Sequence, residues 1–140
     1  MKAKSIGYTT GVYDLFHIGH LNLLKRAKAQ CEKLIVGVTT DELAIERKGR
    51  GPVIPYSERV DIVSSIRYVD LAVPQRHMNK FEAWEALQFD VMFVGDDWKG
   101  TEEWLNYEKQ FSKVNVEIVY LPYTVHTNST ELKSALEHLG

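Results

Sequence analysis

"SIGYTTGVYDLFHIGHLNLLKRAK" (residues 5–28) changes its hydrophobic period half-way through. "SIGYTTG" (5–11) reads as a short strand that ends at Gly11. From Ile18 onward the apolar positions Ile18, Leu21, Leu24 and Ala27 recur at helical spacing. Five residues after Lys28 comes "KLIVGVTT" (33–40), a nearly continuous β-branched run suited to a strand buried on both faces. Strand, turn, helix, buried strand is the opening of a parallel α/β unit.

The rest of the chain repeats that alternation. "DLAVP" (70–74) predicts a short strand that stops at proline. "KFEAWEAL" (80–87) predicts a helix and "FDVMFVG" (89–95) a second buried strand. "TEEWLNYEKQF" (101–111) predicts a helix and "VEIVYLP" (116–122) a strand. "NSTELKSALEHL" (128–139) predicts a helix capped by Asn128 or Ser129. "DELAIERKGRGPVIPYSER" (41–59) is interrupted by Gly49, Gly51, Pro52 and Pro55, so its middle is expected to be a mobile basic loop. Ser57 is expected to cap a helix through "ERVDIVSSIRYV". The predicted fold is therefore α/β: one Rossmann-like domain over residues 1–140, a doubly wound five-stranded parallel sheet with helices on both faces.

Composition excludes several functional classes. The 140 residues are 44% hydrophobic and 26% charged, as in an ordinary globular domain. A net charge of −2 gives no global basic field, so no nucleic-acid partner is expected. No apolar run reaches the 18 or so residues needed to span a bilayer, so no membrane partner is expected either. The start, "MKAKSIGYTTG", lacks the apolar core of a signal peptide. One cysteine, Cys31, cannot form an internal disulfide and reads as a helix-end packing residue. Together these features favour a cytoplasmic protein.

In open parallel sheets ligands bind beyond the carboxyl ends of the strands. Those ends are loaded here with polar side chains. Asp14, His17 and His20 follow the first strand, and Lys48 and Arg50 follow the second. Asp96, Asp97 and Trp98 follow the fourth, and Thr124, Asn128, Ser129 and Thr130 follow the fifth. His17 and His20 stand one turn apart where a helix begins, with Gly19 between them. A helix N-terminus is a ready anion site, and imidazole N–H groups can hold phosphoryl oxygens. A zinc pair and an ordinary packed histidine are the other readings of the same spacing. Zinc needs a third protein ligand, for which His77, His126 and His138 are poorly placed.

"GVYDLFHIGH" (11–20) resembles the HxGH signature of the nucleotidyltransferase superfamily. "IRYVD" (66–70) and "VGDDWKG" (94–100) follow in the order and spacing of its cytidylyltransferase branch, and the similarity covers nearly the whole chain. Within that branch the chain resembles the bacterial glycerol-3-phosphate cytidylyltransferases. The resemblance implies that an acceptor phosphate attacks the α-phosphorus of CTP in line and expels pyrophosphate, with Mg²⁺ assisting, in a homodimeric enzyme. It implies catalytic roles for His17, His20, Lys48 and Asp14, and places Asp14 at the metal or against a histidine. Arg47 and Arg50 are alternatives to Lys48. It implies nucleotide contacts from Thr10, Gly11, Val12, Gly19, Arg67, Asp70, Gly95, Asp97, Thr124, Asn128, Ser129 and Thr130. Arg59, Lys80 and His77 are the expected acceptor-binding residues. Asp70 can equally anchor the turn before its strand, and Arg59 and Arg67 can line a solvated helix face. Trp98 is expected in the pocket wall, and Trp84 and Trp104 in the core or an interface.

The resemblance has one gap. The family's last motif carries an arginine and a glycine where "YTVHTNST" (123–130) has Tyr123 and His126. A tyrosine cannot supply the positive charge that the arginine brings to nucleotide phosphates.

Overall fold

A computed structural model describes residues 4–122 and 129–139. Five strands form one sheet: β1 (Lys4–Gly11), β2 (Cys31–Thr39), β3 (Leu71–Gln75), β4 (Val91–Gly95) and β5 (Glu117–Leu121). Every pairing is parallel, in the order β3-β2-β1-β4-β5. The chain winds outward from β1 to β3, then crosses back to β4 and β5. The direction reverses between β1 and β4, which is where a doubly wound sheet opens its ligand crevice.

The strand residues alternate between two cores. Leu34, Val36 and Val38 of β2 face one side, with Val91 and Phe93 of β4. Against them pack α1 (Ile18–Lys28), through Leu23, Leu24 and Ala27, and α3 (Tyr56–Ser64), through Val60 and Val63. Ile35 and Met92 face the other side, with Tyr8 of β1. There α4 (Lys80–Leu87) contributes Phe81 and Trp84, and α5 (Glu102–Ser112) contributes Trp104, Tyr107 and Phe111. The packing expected of Trp84 and Trp104 is found. Gly7 lies on β1 beside β4, where a Cβ would sit 2.6 Å from the Phe93 ring, so the central strands can approach only with glycine there.

Four expectations need correction. The loop expected in the middle of 41–59 starts only at Gly49, because residues 41–48 form helix α2 (Asp41–Lys48), capped by the Thr40 hydroxyl, which accepts from Leu43 N–H. Acidic Asp41 and Glu42 open α2, Arg47 and Lys48 close it, and Gly49 at φ +80° ends it. Ser57 does not cap α3. Pro55 stands at the cap, and both oxygens of Asp41 accept from Tyr56 N–H at 3.1 Å. Pro74 does not stop β3 but lies within it; β3 is an edge strand, where a missing N–H costs little. Cys31 is the buried first residue of β2, its Sγ donating to the Ala27 carbonyl, and not a helix-end residue. The final helix is α6 (Ser129–Leu139).

Candidate active site

At the switch point a crevice of about 500 Å³ opens above the carboxyl ends of β1 and β4. Thr10, Gly11 and Val12 form its floor, and Gly95, Asp97 and Trp98 form one wall. Arg47 and Lys48, the last turn of α2, form the facing wall, and Lys80 reaches in from the start of α4. Seven of the residues expected to touch substrate thus meet in one place: Thr10, Gly11, Val12, Lys48, Lys80, Gly95 and Asp97. Arg47 joins them.

The two histidines cap α1 reciprocally. His17 Nδ1 accepts from Gly19 N–H at 3.1 Å, and His20 Nδ1 accepts from the His17 backbone N–H at 3.2 Å. Helix ends leave such N–H groups without partners, and here the histidine rings serve in place of the usual serine and glutamate. A ring nitrogen that accepts carries no proton, so the proton of each neutral ring resides on Nε2. Burial lowers the pKa of both rings. His20, stacked on His17 at 3.9 Å and flanked by Tyr13 and Phe16, is pushed down to about 4 by burial and by the His17 charge. At neutral pH both are uncharged Nε2–H donors. Gly19 enters as a backbone donor inside this cap.

Asp14 is buried between two left-handed residues, Tyr13 at φ +56° and Leu15 at φ +50°. Its oxygens accept from Val53 N–H at 2.8 Å and Ile54 N–H at 2.9 Å, and Lys133 of α6 lies 3.0 Å from Oδ2. Burial alone would raise this carboxyl's pKa. The Ile54 and Val53 amides and Lys133 more than offset it and hold the group below the usual carboxylate range. Among the described residues no group of three His, Cys, Asp or Glu side chains could hold a metal, and both Asp14 oxygens are engaged. In this structure the Asp14 carboxylate ties the loop at 53–54 and α6 to the turn before the histidines.

Four further expected contacts are displaced. Arg59 is 1% exposed and held by four hydrogen bonds. Nε donates to Ile54 O, one terminal nitrogen to Val12 O and Thr39 O, and the other to Asp41 at 2.7 Å. It braces the crevice from beneath, buried, with four of its five N–H groups donated within the protein. Asp70 lies at the amino end of β3, accepting from Leu34 N–H at 2.7 Å and pairing with Lys28 at 2.6 Å. Arg67 precedes it on the same end, exposed, its guanidinium over the Tyr68 ring. That end of the sheet is about 16 Å from the crevice at ~3.3 Å per strand residue. His77 is exposed beside Glu82 and lines a neighbouring hollow of about 200 Å³, which shares Gln75 and Lys80 with the crevice; it does not line the crevice itself.

Thr124 and Asn128 lie outside the described residues, and so do Tyr123 and His126. Ser129 and Thr130 open α6, and only their backbone is described. Lys133 escaped the sequence reading altogether. It lies in an ordinary amphipathic helix, and no local signal marks it as the partner of a residue 119 positions earlier.

Lys80 is buried, and burial lowers its ammonium pKa to about 8; Glu103 pulls it back up and Arg47 pushes it further down. Neutral histidine donors and clustered cations above a glycine-containing strand end suit polyanionic phosphate.

Comparison with known proteins agrees. The family model described as cytidylyltransferase-like matches residues 8–135. The chain belongs to the cytidylyltransferase-like family. It is 36% identical to the glycerol-3-phosphate cytidylyltransferase of Staphylococcus aureus over 129 residues, covering 91% of this chain and 92% of that one. It is also 32% identical to the FAD synthase of Pyrococcus horikoshii over 130 residues, covering 92% and 88%. The fold matches a lipopolysaccharide core biosynthesis protein from Thermoplasma volcanium with a TM-score of 0.71 at 23% identity, over 89% of this chain and all of that one. The reaction class is nucleotidyl transfer. No helix among the described residues is long and apolar enough to cross a membrane.

Proposed function

We propose that this nucleotidyltransferase uses CTP and transfers CMP to a small phosphorylated alcohol, glycerol 3-phosphate first, giving a CDP-activated precursor of cell-surface polymers. The observation that carries the reading is the reciprocal histidine cap at the carboxyl end of β1, beside a crevice walled by Arg47, Lys48 and Lys80. An acceptor phosphate oxygen forms a bond to the α-phosphorus as the bond to the bridging oxygen breaks, and pyrophosphate leaves. His17 and His20 donate Nε2–H to phosphoryl oxygens as charge develops there. Because they are neutral, they spend no desolvated charge of their own, and Arg47 and Lys48 supply the countercharge. Lys80 holds the acceptor's phosphate. Mg²⁺ bound with the triphosphate would offset part of its negative charge. The same reading includes a homodimer.

A second reading is adenylyl transfer from ATP to FMN, which the FAD synthase relatives favour. The purified chain should release pyrophosphate when CTP is paired with glycerol 3-phosphate, and far less with ATP and FMN. The reverse preference would establish the second reading. No release from any of the four common triphosphates with either acceptor would defeat both.

A further inference from the structure

A second cavity, of about 400 Å³, lies between α2 and α6. It shares Val12, Ala44 and Lys48 with the crevice, so the two adjoin across the end of β1. Its charged lining is Lys48, Arg50, Lys133 and Glu137. Arg50 and Glu137 make a loose exposed pair at 3.4 Å, which is worth little. Lys133 is different. Only 20% of its side chain is exposed, and its Nζ is held 3.0 Å from Asp14, which is itself fixed by two loop amides.

Holding a lysine still costs side-chain entropy, a cost that Asp14 has already met here. An ammonium has three N–H donors. Asp14 takes one, and Lys133 has no other polar partner among the described residues. A pre-positioned cation with unused donors, on the wall of a polar cavity that also holds Lys48 and Arg50, matches a multiply charged anion. Resting on the nucleotide site proposed above, we propose that Lys133 is a phosphate-binding residue: with Lys48 and Arg50 it takes the terminal phosphates of the triphosphate, the part that departs as pyrophosphate. Asp14 is then its positioning residue. One carboxylate would align α6, the 53–54 loop and the histidine turn around the leaving group. The charge that grows on the leaving pyrophosphate would meet an ammonium that needs no reorganisation.

The competing account is that the Lys133–Asp14 pair only docks α6. Calorimetric titration with inorganic pyrophosphate separates the two, because it needs no turnover and no assumption about the base or acceptor. Lys133→Ala should weaken pyrophosphate binding by about tenfold or more, and should raise the KM for the triphosphate while leaving that for the acceptor unchanged. Lys133→Arg should stay within about threefold of wild type, because charge and reach are kept. Lys133→Gln can still donate to Asp14 without a charge. It should bind pyrophosphate as poorly as the alanine variant, and it keeps the test intact if that variant does not fold. Wild-type pyrophosphate affinity in folded Lys133→Ala or Lys133→Gln, or no measurable pyrophosphate binding by the wild type, would overturn the proposal. Failure of the function reading looks different: wild type would bind pyrophosphate in a Lys133-dependent way yet release none from any triphosphate.

Discussion

Asp14 and Asp70 are chemically almost the same residue in this protein. Each accepts a backbone N–H at 2.7–2.9 Å, each faces a lysine within 3.0 Å, and each carboxyl is held below its ordinary pKa. They sit at opposite ends of the sheet. Asp14 follows β1 at its carboxyl end, its side chain 1% exposed, and joins three segments that surround the crevice. Asp70 precedes β3 at the amino end, its side chain 41% exposed, and joins neighbouring strands with α1. Position along the strand axis, and not local chemistry, decides which carboxylate can influence a ligand.

Of the two carboxylates, Asp14 is the more sensitive to substitution. Asp14→Ala leaves the Lys133 ammonium and two loop amides without their partner. It should cost about 3–5 kcal/mol of stability, read as a lowered denaturation midpoint. The next largest effect is on turnover. His17→Ala or His20→Ala should each reduce kcat by about 10²-fold or more, near 2.7 kcal/mol of transition-state stabilisation, while the protein stays folded. Wild-type rates in either variant would remove the histidines from the proposed site.

The same histidines make stability depend on acidity. Burial lowers the folded His20 pKa to about 4, below its unfolded value of about 6.5, so the unfolded chain binds more protons between those values. Stability should therefore fall as pH drops through that window, and His20→Gln should flatten the slope of a pH series of denaturation midpoints. Lys80 should act on the acceptor side. Lys80→Met should raise the acceptor KM about tenfold, leave that for the triphosphate nearly unchanged, and raise the melting temperature slightly, because a desolvated charge is removed. In wild type the acceptor KM should rise as pH passes about 8, where the ammonium loses its proton. The smallest effect belongs to Asp70→Asn. Its exposed ion pair should cost about 1 kcal/mol or less, and turnover should be unchanged. A large loss of turnover in Asp70→Asn would erase the distinction between the two ends.

Much of the crevice was legible in the sequence because strand ends follow from local pattern. Thr10, Gly11 and Gly95 end predicted strands, Val12 and Asp97 follow within two residues, and a parallel sheet gathers all such ends on one side. Helix α2 was legible too, in Thr40, the acids after it and Gly49, but the prolines beyond it drew the loop boundary too early. Arg59 and Arg67 could not be told apart by spacing. One lies on the inward face of α3 beneath the crevice, and the other follows the helix at the far end.

Alternating periods of two and 3.6 residues, punctuated by glycine and proline, were enough to set the order of elements, and hence a doubly wound parallel sheet with its crevice beyond β1 and β4. They also set the histidine cap, since residues three apart at a helix start meet without help from the rest of the chain. The tertiary structure alone decided which charges face that crevice. Arg59 is consumed by carbonyls of three segments, Asp70 is carried to the opposite end, and Lys133 is brought to Asp14 from 119 residues away. Hydrogen bonding within a helix turn depends on spacing. The partner of a buried charge depends on which distant segments packing brings within about 3 Å, and no local period encodes that.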